Sequence, residues 1–275
     1  MKSKLLVFAL LLISLIVKSQ EFELGVSLGA MQYQGDLAQP PIAIRNTKFM
    51  LGALGRYTFN SKFAFRGEVN FGQIGGDDKY ALAEDHQFRN LNFKSNIFEV
   101  SGSFEYNFFK YVPGSRNKKF TPFVSLGVGI FHFNPKTEYN GQTIQLQPLQ
   151  TELNKPLYAL TQVCFPAGVG IKWNVGKTWT LGLHYATRFT LTDYLDDVSH
   201  NWQTSKPGTL DQELTYRGDE TNNAYWVNVE PYIYNENNPN DKNTVNRGDP
   251  RDRDTYLFFG FSLTKTFRKF SCLAF

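Results

Sequence analysis

The chain has 275 residues, 41% of them hydrophobic and 20% charged, with a formal net charge of +4. An apolar N-terminus carries Lys2, Lys4 and Lys18, and its removal leaves +1, which excludes a strongly basic nucleic-acid binder. No later segment approaches the roughly 20 apolar residues of a helical membrane span, and the negative mean hydropathy does not count against a barrel, which is apolar only on its outer face.

Lys2 and Lys4 precede an apolar run from Leu5 to Val17, and Val17-Lys18-Ser19 suits cleavage before Gln20. Residues 1–19 therefore read as a secretory signal peptide. Residues 20–275 follow as one domain of eight strands with period-two patterning. Strand one, about Phe22–Gln32, sets Phe22, Leu24, Val26 and Leu28 against Glu23, Gly25, Ser27 and Gly29. Strand two, about Leu51–Phe59, carries Leu51, Ala53, Tyr57 and Phe59 outward, and strand three, Phe63–Ile74, sets Phe63, Phe65, Val69 and Phe71 against Arg66, Glu68 and Asn70. Strand four, about Asn96–Phe108, alternates Phe98, Val100, Phe104 and Tyr106 with Glu99, Ser101, Ser103 and Glu105. Strands five to eight span Pro122–Phe133, Val163–Val175, Trp179–Phe189 and Thr255–Phe267.

Runs of about 9–13 residues suit tilted strands crossing a hydrocarbon layer. The polar faces are rich in Gly, Ser, Thr and Asn with few charges, as a narrow filled interior requires and as a solvated sandwich face does not. The joins alternate: Asn60–Lys62, Phe109–Lys119 and Gly176-Lys177 are short, whereas 34–50, 75–92, 135–160 and 190–254 are long. This is the pattern of an all-β, eight-stranded antiparallel transmembrane barrel of the outer-membrane type, with long extracellular loops and both termini periplasmic. The Gly176-Lys177 hairpin is expected to set Trp173 opposite Trp179 in an aromatic girdle. Aromatic residues make up 16% of the chain, which suits lipid-facing strands.

Eight strands leave an interior just wide enough for side chains, so no pore is expected. The first hairpin places Arg56 across from Arg66, and Glu105 is at the height to bridge them. Cys164 and Cys272 fall near opposite ends, too far apart for a disulfide. The four histidines, His86, His132, His184 and His200, lack the motifs of a barrel enzyme and read as structural or solvent-exposed. The last long loop is rich in Asp and Asn without the spacing of a calcium loop, so it reads as solvated. Its two Arg-Gly-Asp triplets, at 217–219 and 247–249, read as turn chemistry. Its Tyr216, Tyr225, Trp226, Tyr232 and Tyr234 suggest a loop that folds on itself or against a partner. Lys110, Arg116, Lys118 and Lys119 form a basic turn, joined by Lys265, Arg268 and Lys269 near the C-terminus. They suit lipid phosphates or a periplasmic partner.

Two stretches carry a resemblance: residues 24–37, ending in Tyr33-Gln34-Gly35-Asp36-Leu37, and residues 192–199, with Asp193, Tyr194, Asp196 and Asp197. They resemble the PorG-type outer-membrane barrels of Bacteroidetes, associated with the type IX secretion system and gliding. The resemblance implies a structural component that contacts a periplasmic secretion ring, without catalytic residues, cofactor or metal. Its partners would be outer-membrane lipid and ring proteins, with neither nucleic acid nor a small-molecule substrate. The same motifs have a local physical role. Gly35-Asp36 is a turn signal, and Asp193, Asp196 and Asp197 can bond backbone amides to order the large loop. A stand-alone surface binder and a lipid-modifying enzyme are the alternatives.

Overall fold

Alternating apolar and polar residues can be satisfied on both faces of a sheet if one face meets lipid and the other a packed lumen. The computed structural model realises this. It describes residues 21–38, 46–81, 84–152, 157–199, 209–215, 217–221, 247–249 and 251–268. The expected signal peptide, His200, Lys269, Cys272 and the loop aromatics 216, 225, 226, 232 and 234 lie outside these residues.

The elements are β1 (Glu21–Gln34), β2 (Lys48–Thr58), β3 (Phe63–Asp77), α1 (Glu84–Arg89), β4 (Asn92–Asn107), β5 (Phe120–His132), β6 (Pro135–Tyr139), β7 (Gln142–Gln145), β8 (Thr161–Val175), β9 (Trp179–Thr190), α2 (Leu210–Thr215) and β10 (Thr255–Arg268). Strands β1–β5 and β8–β10 form a closed antiparallel ring. β1 closes it against β10 from Glu21↔Arg268 to Gln34↔Thr255. The fold is thus the eight-stranded barrel, and closure removes the edges a flat sheet would expose.

Within the 135–160 join the structure adds a hairpin that the strand reading takes as loop. β6 and β7 turn at Asn140-Gly141, both with positive φ (49° and 76°), the preferred hairpin dipeptide. The hairpin is carried on β4 through Lys94↔Lys136 and Ser95↔Pro135.

A second departure concerns the tryptophans. Val175 pairs with Trp179, and Trp173 pairs with Leu181. The expected Trp173–Trp179 pair does not form: the turn holds three residues, Gly176 to Thr178, opening on Gly176 at φ +74°, and even a two-residue Gly176-Lys177 turn would set Trp173 against Thr180. Trp173 instead packs edge-on against Phe120 at 6.1 Å, and the Lys265 ammonium lies 5.8 Å from the Trp179 ring.

The phase of the alternation inverts along the barrel. Near the termini and through the middle, apolar residues point outward and polar ones inward. Toward the long-loop end, Met31, Ile74, Phe93, Ile97, Phe131 and Phe258 point inward and join one buried cluster. The outward positions there turn polar, as in Gln73↔Asn96 one step beyond Phe71↔Phe98. The inversion marks where hydrocarbon gives way to water: below it the greasy face needs lipid, above it a core.

The lumen is filled. Glu105 Oε2 accepts from Arg56 Nε at 2.9 Å and Lys172 Nζ at 2.7 Å, and its Oε1 is 3.7 Å from Arg66 Nη1. Glu23 pairs with Arg56 at 3.2 Å and Glu68 with Arg66 at 2.6 Å. Higher up, Glu99 accepts from Arg188 Nε at 3.1 Å and the Tyr256 hydroxyl at 2.8 Å. All these charged side chains are buried, so each is held by a partner of opposite sign. The β4–β5 join is more than the slightly long turn expected: it folds under the barrel. Tyr111 is buried there, donating to Asn174 Oδ1 at 2.5 Å, while Asn174 Nδ2 donates to the Val112 carbonyl at 2.8 Å.

Candidate functional site

The residues of both family-like motifs meet in a cap over the long-loop end. β1 delivers Tyr33, and the chain turns at once, with the Ala38 amide donating to the Gly35 carbonyl at 3.0 Å. The Tyr33 hydroxyl lies 2.6 Å from Asp196 Oδ2 and 2.8 Å from Asp254 Oδ1. A phenol has one proton, so it cannot donate to two carboxylates together. Burial pushes both Asp196 and Asp254 well above the usual carboxylate range, and their mutual repulsion and that of nearby carboxylates add to it. A proton on either carboxyl would complete the bridge. A Cβ at Gly35 would fall 1.9 Å from Asp254 Oδ1 and 2.1 Å from the Tyr33 hydroxyl, so the glycine is set by close approach.

The other motif aspartates have separate tasks. Asp36 accepts the Asp249 amide at 3.1 Å, and burial raises its carboxyl to about 6. Asp193 accepts from Ser199 Oγ at 2.5 Å and is raised by burial to about 7. Asp197, with φ +71°, accepts from Thr151 Oγ1 at 2.5 Å and from the Tyr158 hydroxyl at 2.6 Å; burial raises it to about 6. Asp196 accepts the Val198 amide at 2.9 Å. Asp193 and Asp197 thus bond side-chain hydroxyls, where the sequence pointed to backbone amides. The acidic stretch is packed, not solvated: Leu195, Asp196, Asp197 and Val198 are all buried. Tyr194 stacks on Tyr158 at 4.8 Å and donates to Glu152 at 3.1 Å.

Two arginines hold the cap together, and sequence reasoning assigned neither that task. Arg89 grips Asp78 through two 2.7 Å bonds and donates to the carbonyls of Asp36 and Arg247. Arg247 reaches Glu152 at 3.2 Å and the Asp197 carbonyl at 2.6 Å. Its burial removes the 247–249 triplet from presentation as a surface ligand. Arg217 of the other triplet is buried too, paired with Glu220 at 2.8 Å. The available signal was the placement of single arginines in acidic loops, where a buried carboxylate needs a cation.

A Ser–His contact does occur, Ser125 Oγ to His184 Nε2 at 3.1 Å, but it is buried in the lumen, with His184 stacked on Phe123. His184 Nδ1 has no bonding partner, so no carboxylate orients this pair as hydrolytic chemistry requires. Among the described residues no group of three His, Cys, Asp or Glu side chains is arranged to hold a metal.

At the opposite end, Lys110, Arg116, Lys118 and Lys119 are exposed on the plug-forming join. Arg268 ends β10 beside Glu21.

Residues 2–231 match the family described as "Domain of unknown function (DUF6089)". The chain belongs to that family. No curated protein matches this DUF6089 chain. Among solved structures it is similar to Ail, the attachment invasion locus protein of Yersinia pestis, at 9% identity over 91% of this chain and 100% of that one, with a TM-score of 0.42. Neisserial surface protein A is similar at 8% identity over 90% and 97%, with a TM-score of 0.43. OprG from Pseudomonas aeruginosa is similar at 10% identity over 92% and 98%, with a TM-score of 0.40.

Proposed function

We propose that the protein is a bacterial outer-membrane barrel that serves as a non-catalytic scaffold in the type IX secretion machinery. In this reading its termini and short turns are periplasmic, and it contacts the secretion ring there. The observation that carries the scaffold reading is a lumen that, among the described residues, is filled with paired charges, with Tyr111 bonded to Asn174 beneath it. The PorG-type resemblance of residues 24–37 and 192–199 supplies the machine. The exposed Lys110, Arg116, Lys118 and Lys119 supply a contact surface, because clustered charge steers and registers a docking partner. Their join is pinned to the barrel through Tyr111 and Asn174, so the basic groups project from a fixed platform.

The test is a cross-linked pull-down of the native protein from outer membranes, with partners identified by mass spectrometry. Recovery of a periplasmic ring, lost when the four basic residues are replaced by glutamine, supports the scaffold and locates its contact. Recovery of the intact barrel without a ring overturns it and favours a stand-alone binder acting through the loop-end cap.

A further inference from the structure

Between the β6–β7 hairpin and the start of β2, the outer wall of the barrel holds a cleft of about 820 Å³ at the long-loop end. This lies within the range of ligand sites, roughly 300–1,000 Å³. Its position is defined by register. Phe71 pairs with Phe98, and both are exposed on the lipid-facing wall, with Ile130 beside them. One step beyond, Gln73 pairs with Asn96, and these residues line the cleft. The cleft therefore opens immediately above the apolar belt, where headgroups meet the barrel.

Its lining combines lysines with side-chain amides. Lys48, Lys94 and Lys136 line the cleft, three cations against the two carboxylates of Asp77 and Glu138. Glu138 takes Lys94 at 2.8 Å, and Asp77 accepts the Lys79 amide at 2.9 Å. Among the described residues Lys48 and Lys136 have no carboxylate partner. Gln73 Nε2 donates to Asn96 Oδ1 at 3.0 Å, which aligns the two amides side by side and leaves further donors and an acceptor on the open side. Tyr80, 40% exposed, adds a ring at the margin.

We propose that this cleft binds the phosphorylated sugar headgroup of an outer-leaflet glycolipid, whose acyl chains lie against Phe71 and Phe98. The lysines take the phosphate, the paired amides take sugar hydroxyls, and the apolar belt below takes the chains. The membrane source of the ligand rests on the outer-membrane reading above; the recognition chemistry rests on the cleft alone.

The test uses the full chain in detergent micelles and isothermal titration with three probes: a phosphorylated lipid A-type glycolipid, its deacylated sugar phosphate, and inorganic phosphate. Expected is binding of the glycolipid and the sugar phosphate, weakened tenfold or more by Lys48→Gln with Lys136→Gln and by Gln73→Leu with Asn96→Leu. Gln73 and Asn96 pair on the outer wall, Lys136 lies on the β6 extension and Lys48 opens β2 at the rim across from Met31; unchanged heat-modifiable gel mobility verifies that each variant folds. The proposal is overturned if neither sugar probe binds, if binding survives both double substitutions, or if inorganic phosphate binds as tightly as the sugar phosphate. Flotation with lipid vesicles tests the membrane reading separately, since a barrel that fails to insert can still be titrated.

Discussion

Glu105→Gln removes one charge from a buried cluster in which Arg56, Arg66 and Lys172 face Glu23, Glu68 and Glu105. The wild-type group is balanced, three cations against three carboxylates. The substitution keeps shape and leaves one cation in excess, with Arg56 at 2.9 Å and Lys172 at 2.7 Å facing a neutral amide. Breaking a buried ion pair by removing one partner costs about 3–5 kcal/mol, because the remaining charge stays desolvated. Equilibrium urea unfolding in lipid vesicles, followed by tryptophan fluorescence, should show a loss of that order. The matched control is Glu138→Gln, whose partner Lys94 is 2.8 Å away in an exposed pair; it should leave the midpoint unchanged. Adding Lys172→Gln to Glu105→Gln removes the surplus charge and should restore part of the stability. Equal effects of Glu105→Gln and Glu138→Gln, or no recovery in the double variant, would refute the reasoning.

Two further predictions concern the ends of the barrel. Tyr111→Ala empties a buried site under the lumen and removes its bond to Asn174, which keeps Thr180 and the Val112 carbonyl as partners, so it should cost about 3–5 kcal/mol in the same titration, mainly through the cavity, while Lys110→Ala beside it stays within about 0.5 kcal/mol; equal losses would show that the join is not a plug. The cap should loosen with rising pH. Burial lifts Asp36 and Asp197 to about 6 and Asp193 to about 7 from 3.8, so the closed cap retains protons that an opened one releases. The stability this contributes is full below about pH 4, falls as pH rises through 6 to 7, and is flat above. Hydrogen exchange of residues 193–199, corrected for the intrinsic base-catalysed rate, should be less protected at pH 8 than at pH 5; the reverse order would remove the buried carboxyls as its cause.

Strand number, closure and the outward set were legible because lipid enforces them at every second residue: an outward Glu for Phe104 or Leu126 would strand a charge in hydrocarbon. The Arg56–Arg66 juxtaposition was legible for a related reason, since a short turn at Asn60–Lys62 leaves the register little freedom. At Gly176 to Thr178 the turn takes in Thr178 beside the Gly-Lys signal, so Val175 meets Trp179 and Trp173 lies two places further along, against Leu181. The inward core of Ile74, Phe93 and Phe131 escaped the strand reading because apolar residues in phase with the lumen look like lapses in alternation until the height of the membrane edge is known.

The sequence by itself determined the barrel, its lipid-facing side and the short-turn end, because each follows from local periodicity and from solvents the strand must satisfy residue by residue. The cap was decided only by the tertiary structure. Tyr33 meets Asp254 across the β1–β10 seam, and Arg247 meets Asp197 and Glu152, through contacts between segments far apart in the chain. Such contacts have no period and no local spacing; they exist because ring closure brings the loop ends together over one mouth, where every buried carboxylate has to find a proton, a hydroxyl or an arginine.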